Sequence, residues 1–456
     1  MRIQPLDAPL EGEIQIPGDK SVTHRATMLA SIAEGSSLIV DPGDGEDNVR
    51  TVEVMKQLGV EAEITDEGIR IEGVGLHGLT SPSDALYCGN SGTTARLLVG
   101  LLAGAGVACE MTGDASLSSR PMARVADPLK DLGYTVDTTG ERHTMPMHTH
   151  AEHTADDTEG HGTRAVLQIA SAQVKSCILL SGLFRNKPTQ VVEPAVSRDH
   201  TERLLRAMGA RVESSAHYMN PTEHADADTL PTSILHPGLP LRGGTLEVPG
   251  DFSSAAFLIA AGLVAGKRIT LRNVNTNPTR IGMLHVLERM NANLRLENRR
   301  VLTTGEPVAD IIVEPSKLQG TVIEGAEIPL LIDEIPVLCV LGAMAEGTLE
   351  VRDAKELRVK ESDRVETTAE ILEGMGVNVE RREDGLLVHG TGKTGWSGFE
   401  IDAQHDHRVA MSAAVAGLGC VEDVKIHGAE CIDISYPAFA DHLNQLGARI
   451  VKESDA

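Results

Sequence analysis

Aromatic side chains are scarce: one Trp, four Tyr and five Phe in a chain of 456 residues. Cores must therefore be built from Ala, Val, Leu, Ile and Met. Positive charge is also short, with 41 Lys and Arg against 66 Asp and Glu, a net charge of −25. Such a surface repels nucleic acid and anionic membranes, which excludes both as general partners. It repels anionic small molecules too, so an anion site has to be a local basic cluster. The six cysteines, Cys88, Cys109, Cys177, Cys339, Cys420 and Cys431, show no C-x-x-C spacing. They read as small core residues of a reducing compartment rather than as metal or redox pairs. Long apolar runs are missing: the longest, residues 97–109, is too short to cross a bilayer. The start, Met1-Arg2-Ile3-Gln4-Pro5-Leu6-Asp7, has no signal-like apolar stretch. These absences predict a soluble cytoplasmic protein, and the length predicts two or three domains.

What is present is organised around Pro17-Gly18-Asp19-Lys20-Ser21-Val22-Thr23-His24-Arg25. An alternating run, residues 13–16, reads as a strand ended by the Pro-Gly turn, and residues 25–30 read as a helix. Lys20, Ser21 and Arg25 thus fall at a helix N-terminus, where free N–H groups and the helix dipole favour an anion. Lys20 offers a flexible ammonium, and Arg25 a planar fork suited to carboxylate or phosphate. The competing reading is a capped surface helix with two solvated cations. A nucleotide P-loop is excluded, because it needs Gly before the Lys-Ser pair and Asp19 stands there instead.

Two patterns recur six times. In the first, a helix end carries two apolar residues three apart, followed by Gly59, Gly133, Gly209, Asn291, Gly376 or Gly447, and then by a strand. Gly or Asn at that position ends a helix in the left-handed conformation. The spacing, roughly 70 to 85 residues, exceeds common solenoid repeats and marks a repeated supersecondary unit. In the second, a polar turn opens an apolar helix of small residues, at Pro17, Gly89, Ser171, Pro249, Ile332 and Asp406. Helices apolar on most sides should be buried. Together the patterns predict an α/β protein of two domains, each with three units and helices packed inside. Two polar segments interrupt the pattern. Residues 141–162 carry His143, His148, His150, His153 and His161, and residues 217–230 carry further His and Asp. Without a helical His pair or a Cys, both read as solvated loops or hairpin extensions, and no metal site is assigned.

The stretches PGDKSVTHR, YCGNSGTTARLL, LSSRPM, SAQVKS, SRDHTERLL, VPGDFSSAAF, LIDEIPVL, ELRVKESDR and DHRVAM run in order from residue 17 to 411. In them the chain resembles the 5-enolpyruvylshikimate-3-phosphate synthase family of enolpyruvyl transferases. The resemblance implies a two-domain inside-out α/β barrel. Its domain I would be residues 1–14 and 242–456, its domain II residues 15–241, with the active site in the cleft between them. It implies a transferase of the shikimate pathway to chorismate and aromatic amino acids. Phosphoenolpyruvate would give its enolpyruvyl group to the 5-hydroxyl of shikimate-3-phosphate, releasing phosphate, with no cofactor and with the enzyme a monomer. It also implies that glyphosate competes with phosphoenolpyruvate.

The chemistry needs fixed cations for two polyanions and acid/base groups for the attacking hydroxyl and the methylene. By motif, Lys20 would lie between both substrates. Ser21, Arg25, Ser171, Gln173, Ser197, Asp333 and Lys360 would bind shikimate-3-phosphate. Gly92, Arg120, Arg364 and Arg408, with Gln173 nearby, would bind phosphoenolpyruvate. Asp333 would be the base and Glu361 the proton shuttle. Taken singly, a capping Asp333 and a surface ion-pair run through Lys360, Glu361, Asp363 and Arg364 would explain the same residues. Asn90, Thr93 and Thr94 are further candidates without assigned roles. A C-terminal lysine found in some members has no counterpart here, where Ile434-Ser435-Tyr436-Pro437 occupies the region. The sister transferase acting on UDP-N-acetylglucosamine pairs its lysine with Asn and uses a loop cysteine; here Ser21 follows Lys20. A non-catalytic sensor would not need Asp333 and Glu361 beside cations.

Overall fold

The computed structural model describes residues 1–151, 164–215 and 230–452. The chain divides into two compact units: Met1–Pro17, Pro249–Arg300 and Pro307–Ala456 form unit 1, and Gly18–Val248 with Val301–Glu306 form unit 2. The described residues form six sheets of four strands each. Each sheet holds one parallel pair at an edge, beside antiparallel pairing, as in Leu86–Tyr87 with Cys109–Thr112 and then Met147–Thr149.

Why the chain repeats this unit follows from its two local signals. The six positions expected to end helices in the left-handed region all do so: Gly59 (φ 92°), Gly133 (89°), Gly209 (100°), Asn291 (62°), Gly376 (79°) and Gly447 (108°). The polar turns open helices α1 (Lys20–Ser31), α2 (Gly92–Ala105), α3 (Ala172–Gly182), α4 (Phe252–Ala265), α5 (Ile335–Met344) and α6 (His407–Gly417). These are the apolar helices, and they are buried: every residue from Phe252 to Val264 in α4 and from Ile335 to Ala343 in α5 is inside. Aliphatic packing supplies almost the whole core, and in unit 1 Phe439 lies 6.3 Å from Phe257 and 5.6 Å from Tyr436.

The two Pro-Gly-Asp turns mark places where strands are exchanged. In four sheets the parallel pair flanks a buried helix directly, as Arg164–Val166 and Thr189–Val192 flank α3. At the other two, the strand before the helix goes elsewhere. Leu10–Gln15 precedes α1 but lies parallel to Gly266–Asn275 in unit 1. Thr245–Glu247 precedes α4 but lies parallel to Glu34–Val40 in unit 2. Gly18 is required at its turn, because a Cβ there would sit 2.0 Å from the Asp41 carbonyl oxygen. Of the polar insertions, His148 lies in the strand Met147–Thr149, and His150 Nε2 is 2.8 Å from Asp137. His153, His161 and most of the second insertion lie outside the described residues. No described helix is long and apolar enough to cross a membrane.

Close helix packing gives a test. In unit 2, α2 runs against α3 so tightly that a Cβ on Gly100 would meet the Cys177 carbonyl oxygen at 2.1 Å. Backbone cannot yield as a side-chain end can, so Gly100→Ala should cost at least about 1–3 kcal/mol. Urea unfolding of the two proteins measures this, and an unchanged midpoint would refute such close contact.

Candidate active site

In unit 2 the expected residues cluster at the N-termini of α1, α2 and α3. Lys20 is the first residue of α1, and its Nζ lies 2.5 Å from Asp47 Oδ2 on the helix Glu46–Gln57. Asn48 Nδ2 donates to the Lys20 carbonyl at 3.0 Å. One turn on, buried Arg25 donates from Nε to Thr201 Oγ1 (2.8 Å), from Nη1 to the Ser21 carbonyl (2.9 Å) and from Nη2 to Ser176 Oγ (2.9 Å). Those bonds use three of the five guanidinium hydrogens. Burial pushes the Arg25 pKa down to about 10, with Glu202 and Asp19 opposing the fall, so it stays charged at neutral pH.

Gly92 opens α2 beside two arginines. A Cβ at Gly92 would stand 3.4 Å from Nη1 of both Arg120 and Arg96. Arg120 donates to Asn90 Oδ1 (2.7 Å) and Ser116 Oγ (3.0 Å). Arg96 donates to Gln173 Oε1 (2.9 Å), and Gln173 Nε2 donates to Thr93 Oγ1 (3.2 Å). Ser171 caps α3, accepting from the Val174 N–H, and its own N–H donates to Glu193 Oε1 at 3.3 Å. Ser197 donates to that same oxygen at 2.6 Å.

In unit 1 the site is built on Arg364, the first residue of the helix Arg364–Gly374 and 1% exposed. Its Nε donates to Asp406 Oδ2 (2.8 Å), Nη2 to Glu361 Oε2 (2.6 Å) and Nη1 to Asp333 Oδ1 (3.3 Å). Burial opposes its charge, yet Asp406, Glu361 and Asp333 together carry its pKa above the usual arginine value. Arg408 Nε approaches the same Asp333 oxygen at 3.8 Å, and Asp406 caps α6 by accepting from the Arg408 N–H at 2.9 Å. Asp333, Glu361 and Arg364 therefore form one hydrogen-bonded group, with the Arg408 guanidinium at ion-pair distance from Asp333. Lys360 is bound differently, its Nζ lying 3.0 Å from Glu356.

Two features depart from the sequence reading. Helix N-termini expected to hold free N–H groups are capped by the chain's own side chains. Asp19 accepts from Val22 N–H, Ser91 from Thr94 N–H, and Asp251 from Ser253 N–H. A side-chain oxygen at the cap satisfies a donor that an anion would use, so these helix ends offer an anion less than their position alone suggests. Sequence reasoning also passed over Asp47, Arg96, Glu193 and Asp406. Arg96 and Asp406 stand inside the motif runs GNSGTTAR and DHRVAM, which was the available signal; Asp47 and Glu193 carried none.

Six four-stranded sheets around six apolar helices, with cations at the helix starts, define the enolpyruvyl transferase fold. The enolpyruvyl transferase NikO of Streptomyces tendae shares that fold at a TM-score of 0.75 and 17% identity, over 98% of this chain and 97% of that one. An EPSP synthase from Acinetobacter baumannii superposes at a TM-score of 0.85 with 40% identity over 98% of each chain. The 3-phosphoshikimate 1-carboxyvinyltransferase of Synechococcus sp. (strain RCC307) is 45% identical over 441 residues, 96% of this chain and 97% of that protein. That of Hydrogenovibrio crunogenus is 41% identical over 452 residues, 98% of this chain and 97% of that protein. The family described as EPSP synthase (3-phosphoshikimate 1-carboxyvinyltransferase) matches residues 6–443, and the chain belongs to it. Its reaction is the conversion of phosphoenolpyruvate and shikimate-3-phosphate to 5-enolpyruvylshikimate-3-phosphate in the shikimate pathway.

A buried histidine links these helix starts. His24 Nδ1 lies 2.7 Å from Thr51 Oγ1, which lies 2.7 Å from Thr94 Oγ1, which donates to Ser91 Oγ at 2.7 Å. Burial first, then Lys20 and Arg25, hold the His24 pKa well below its usual value, so the folded ring is neutral. Unfolded, it takes a proton near pH ~6.5, so its contribution to stability falls as the pH drops through that value. The stability advantage of wild type over His24→Gln should shrink by about 1.4 kcal/mol between roughly pH 7.5 and pH 5.5. Urea titrations at both pH values measure it; a constant difference would mean that the ring takes up its proton as readily in the fold as in the unfolded chain.

Proposed function

We propose that the residue groups of the two units serve one substrate pair. Arg25 and Ser21 take the shikimate carboxylate side; Ser171, Gln173 and Ser197 take its phosphate; Lys360 adds a further cation. Lys20 lies between the substrates, and Gly92, Arg120, Arg364 and Arg408 hold phosphoenolpyruvate. Asp333 accepts the 5-hydroxyl proton as that oxygen attacks C2 of phosphoenolpyruvate, and Glu361 delivers a proton to C3. Phosphate then leaves C2, and a proton leaves the new methyl group to restore the methylene. The observation that carries this reading is Arg364, which holds Asp333 and Glu361 through one buried guanidinium. Both proton-transfer groups are thereby fixed beside the cations that would neutralise the leaving phosphate. The reading also takes the enzyme as a cytoplasmic monomer needing no cofactor.

Phosphate release from phosphoenolpyruvate, dependent on shikimate-3-phosphate, tests the proposal. Asp333→Asn keeps an oxygen for Arg364 but cannot take a proton. It should bind shikimate-3-phosphate within about tenfold of wild type and lose several orders of magnitude in kcat. Near-normal turnover would remove Asp333 from its role.

Gly92 gives a second measurement. A methyl group there would press on the ends of Arg96 and Arg120, at 3.4 Å from each. Glyphosate, the longer anion, should lose more from that methyl than phosphoenolpyruvate does. Gly92→Ala should raise the KM for phosphoenolpyruvate severalfold and weaken glyphosate inhibition by a further factor of about ten or more, consistent with overpacking of about 1–3 kcal/mol. Equal loss for both anions would show that the methyl acts only through the arginines.

A further inference from the structure

Behind the phosphate-facing end of α3 lies an ammonium group that the reaction does not use. Lys175 sits one helical turn beyond Ser171, and its side chain is 3% exposed. Its Nζ lies 2.9 Å from Glu193 Oε2, 3.0 Å from Glu202 Oε1 and 3.3 Å from the Ser197 carbonyl oxygen. An ammonium has three hydrogens, and these acceptors take all of them. Burial disfavours its charge, but Glu202 and Glu193 outweigh that and keep the lysine protonated. Lys175 therefore has no donor left for a ligand.

What Lys175 holds is more informative. Glu193 Oε1 receives the Ser197 hydroxyl at 2.6 Å and the Ser171 N–H at 3.3 Å. Glu202 Oε1 also accepts from Ser233 Oγ at 3.0 Å, and Glu202 belongs to the helix His200–Ala207. The same helix carries Thr201, which binds Arg25 Nε and donates to Ser176 Oγ at 2.7 Å. One buried cation thus joins the capping Ser171, the Ser197 segment and the helix that steadies Arg25. Each of these residues is assigned above to shikimate-3-phosphate. Apart from Gln173, which stands two residues before Lys175, no residue assigned to phosphoenolpyruvate enters this network by the hydrogen bonds described.

We propose that Lys175 and Glu193 are positioning residues that set the phosphate-binding hydroxyls of Ser171 and Ser197, and so determine affinity for shikimate-3-phosphate rather than for phosphoenolpyruvate. This rests on the assignment of those serines to the phosphate. Without the ammonium, Glu193 and Glu202 would be two uncompensated buried carboxylates behind a dianion's seat, and the Ser197 segment would lose its tie. With the carboxylate shortened, Ser197 and the Ser171 N–H would lose their shared acceptor while the charge balance stayed intact.

Three variants separate these effects: Lys175→Met, Lys175→Arg and Glu193→Asp, each assayed for phosphate release with both substrates varied, and for shikimate-3-phosphate and unphosphorylated shikimate binding by calorimetry. Lys175→Met and Glu193→Asp should raise the KM for shikimate-3-phosphate by about tenfold or more, with the KM for phosphoenolpyruvate and the saturated kcat within about threefold. Shikimate, lacking the phosphate, should bind Glu193→Asp as it binds wild type, and Lys175→Arg should recover most of the lost affinity. A merely structural role would lower the active fraction, and with it kcat, at unchanged KM. Equal rises in both KM values, or weakened shikimate binding by Glu193→Asp, would overturn the proposal. If Lys175→Met does not fold, Glu193→Asp decides, since it keeps every charge. Failure of the underlying functional reading would show separately, as wild type releasing no phosphate from the two substrates.

Discussion

A buried cation needs a carboxylate, and this constraint arranges both units. Lys175, Arg280 and Arg364 are each at most 3% exposed. Lys175 is met by Glu193 and Glu202, and Arg364 by Asp406, Glu361 and Asp333. Arg280 donates to Ser253 Oγ at 2.6 Å, which in turn donates to Glu334 Oε1 at 2.5 Å. Breaking such a pair is costly because it strands the other charge in a low dielectric. The clusters are therefore fixed points, and helices are held through them: Asp406 ties α6 to Arg364, and Glu202 ties the helix His200–Ala207 to α3.

The same constraint prepares the site for anions. In a protein carrying a net charge of −25, an exposed cation would be surrounded by carboxylates competing for it. Here the competing carboxylates are few and placed. Arg364 gives Asp333 a single bond of 3.3 Å, against two bonds to Asp406, at 2.8 and 3.3 Å, and one of 2.6 Å to Glu361. Asp406 acts as a permanent partner that keeps the guanidinium in one plane. Preorganisation of this kind lets binding energy go into the reaction instead of into ordering side chains.

Much of this was legible from local chemistry. A left-handed helix end restricts its residue type so strongly that Gly59, Gly133, Gly209, Asn291, Gly376 and Gly447 identify six units without any long-range information. The apolar helices behind Ser91, Ser171 and Asp251 likewise announce their burial. The exchanged strands could not be read the same way. Leu10–Gln15 alternates like any half-buried strand, and nothing in that alternation says that its neighbour is Gly266–Asn275. Arg96, Lys175 and Asp406 lie inside motif runs and Asp47 and Glu193 outside them, and none was read as a site residue, since a single charge on a helix or loop looks solvated until its surroundings are known. The anion preference of the helix ends was overread for the same reason, because Asp19 was seen as a neighbour of Lys20 and not as the group already filling the N-terminus of α1.

The strand exchange has a consequence for the order in which the protein can be made. Arg2–Ile3 pairs with Val424–His427 and Ile450–Val451, and Leu10–Gln15 with Gly266–Asn275. These strands leave the ribosome long before the segments they pair with, while Gly18–Val248 can pack behind them lacking only the Val301–Glu306 tip. During that wait Met1–Pro17 is an unpaired edge in a crowded cell. Its composition suits the delay: one strand is two residues long, and the other alternates Leu10, Gly12 and Ile14 with Glu11, Glu13 and Gln15. Short, charged edges are poor templates for joining another nascent chain, so the segment can remain open until its own sheet arrives.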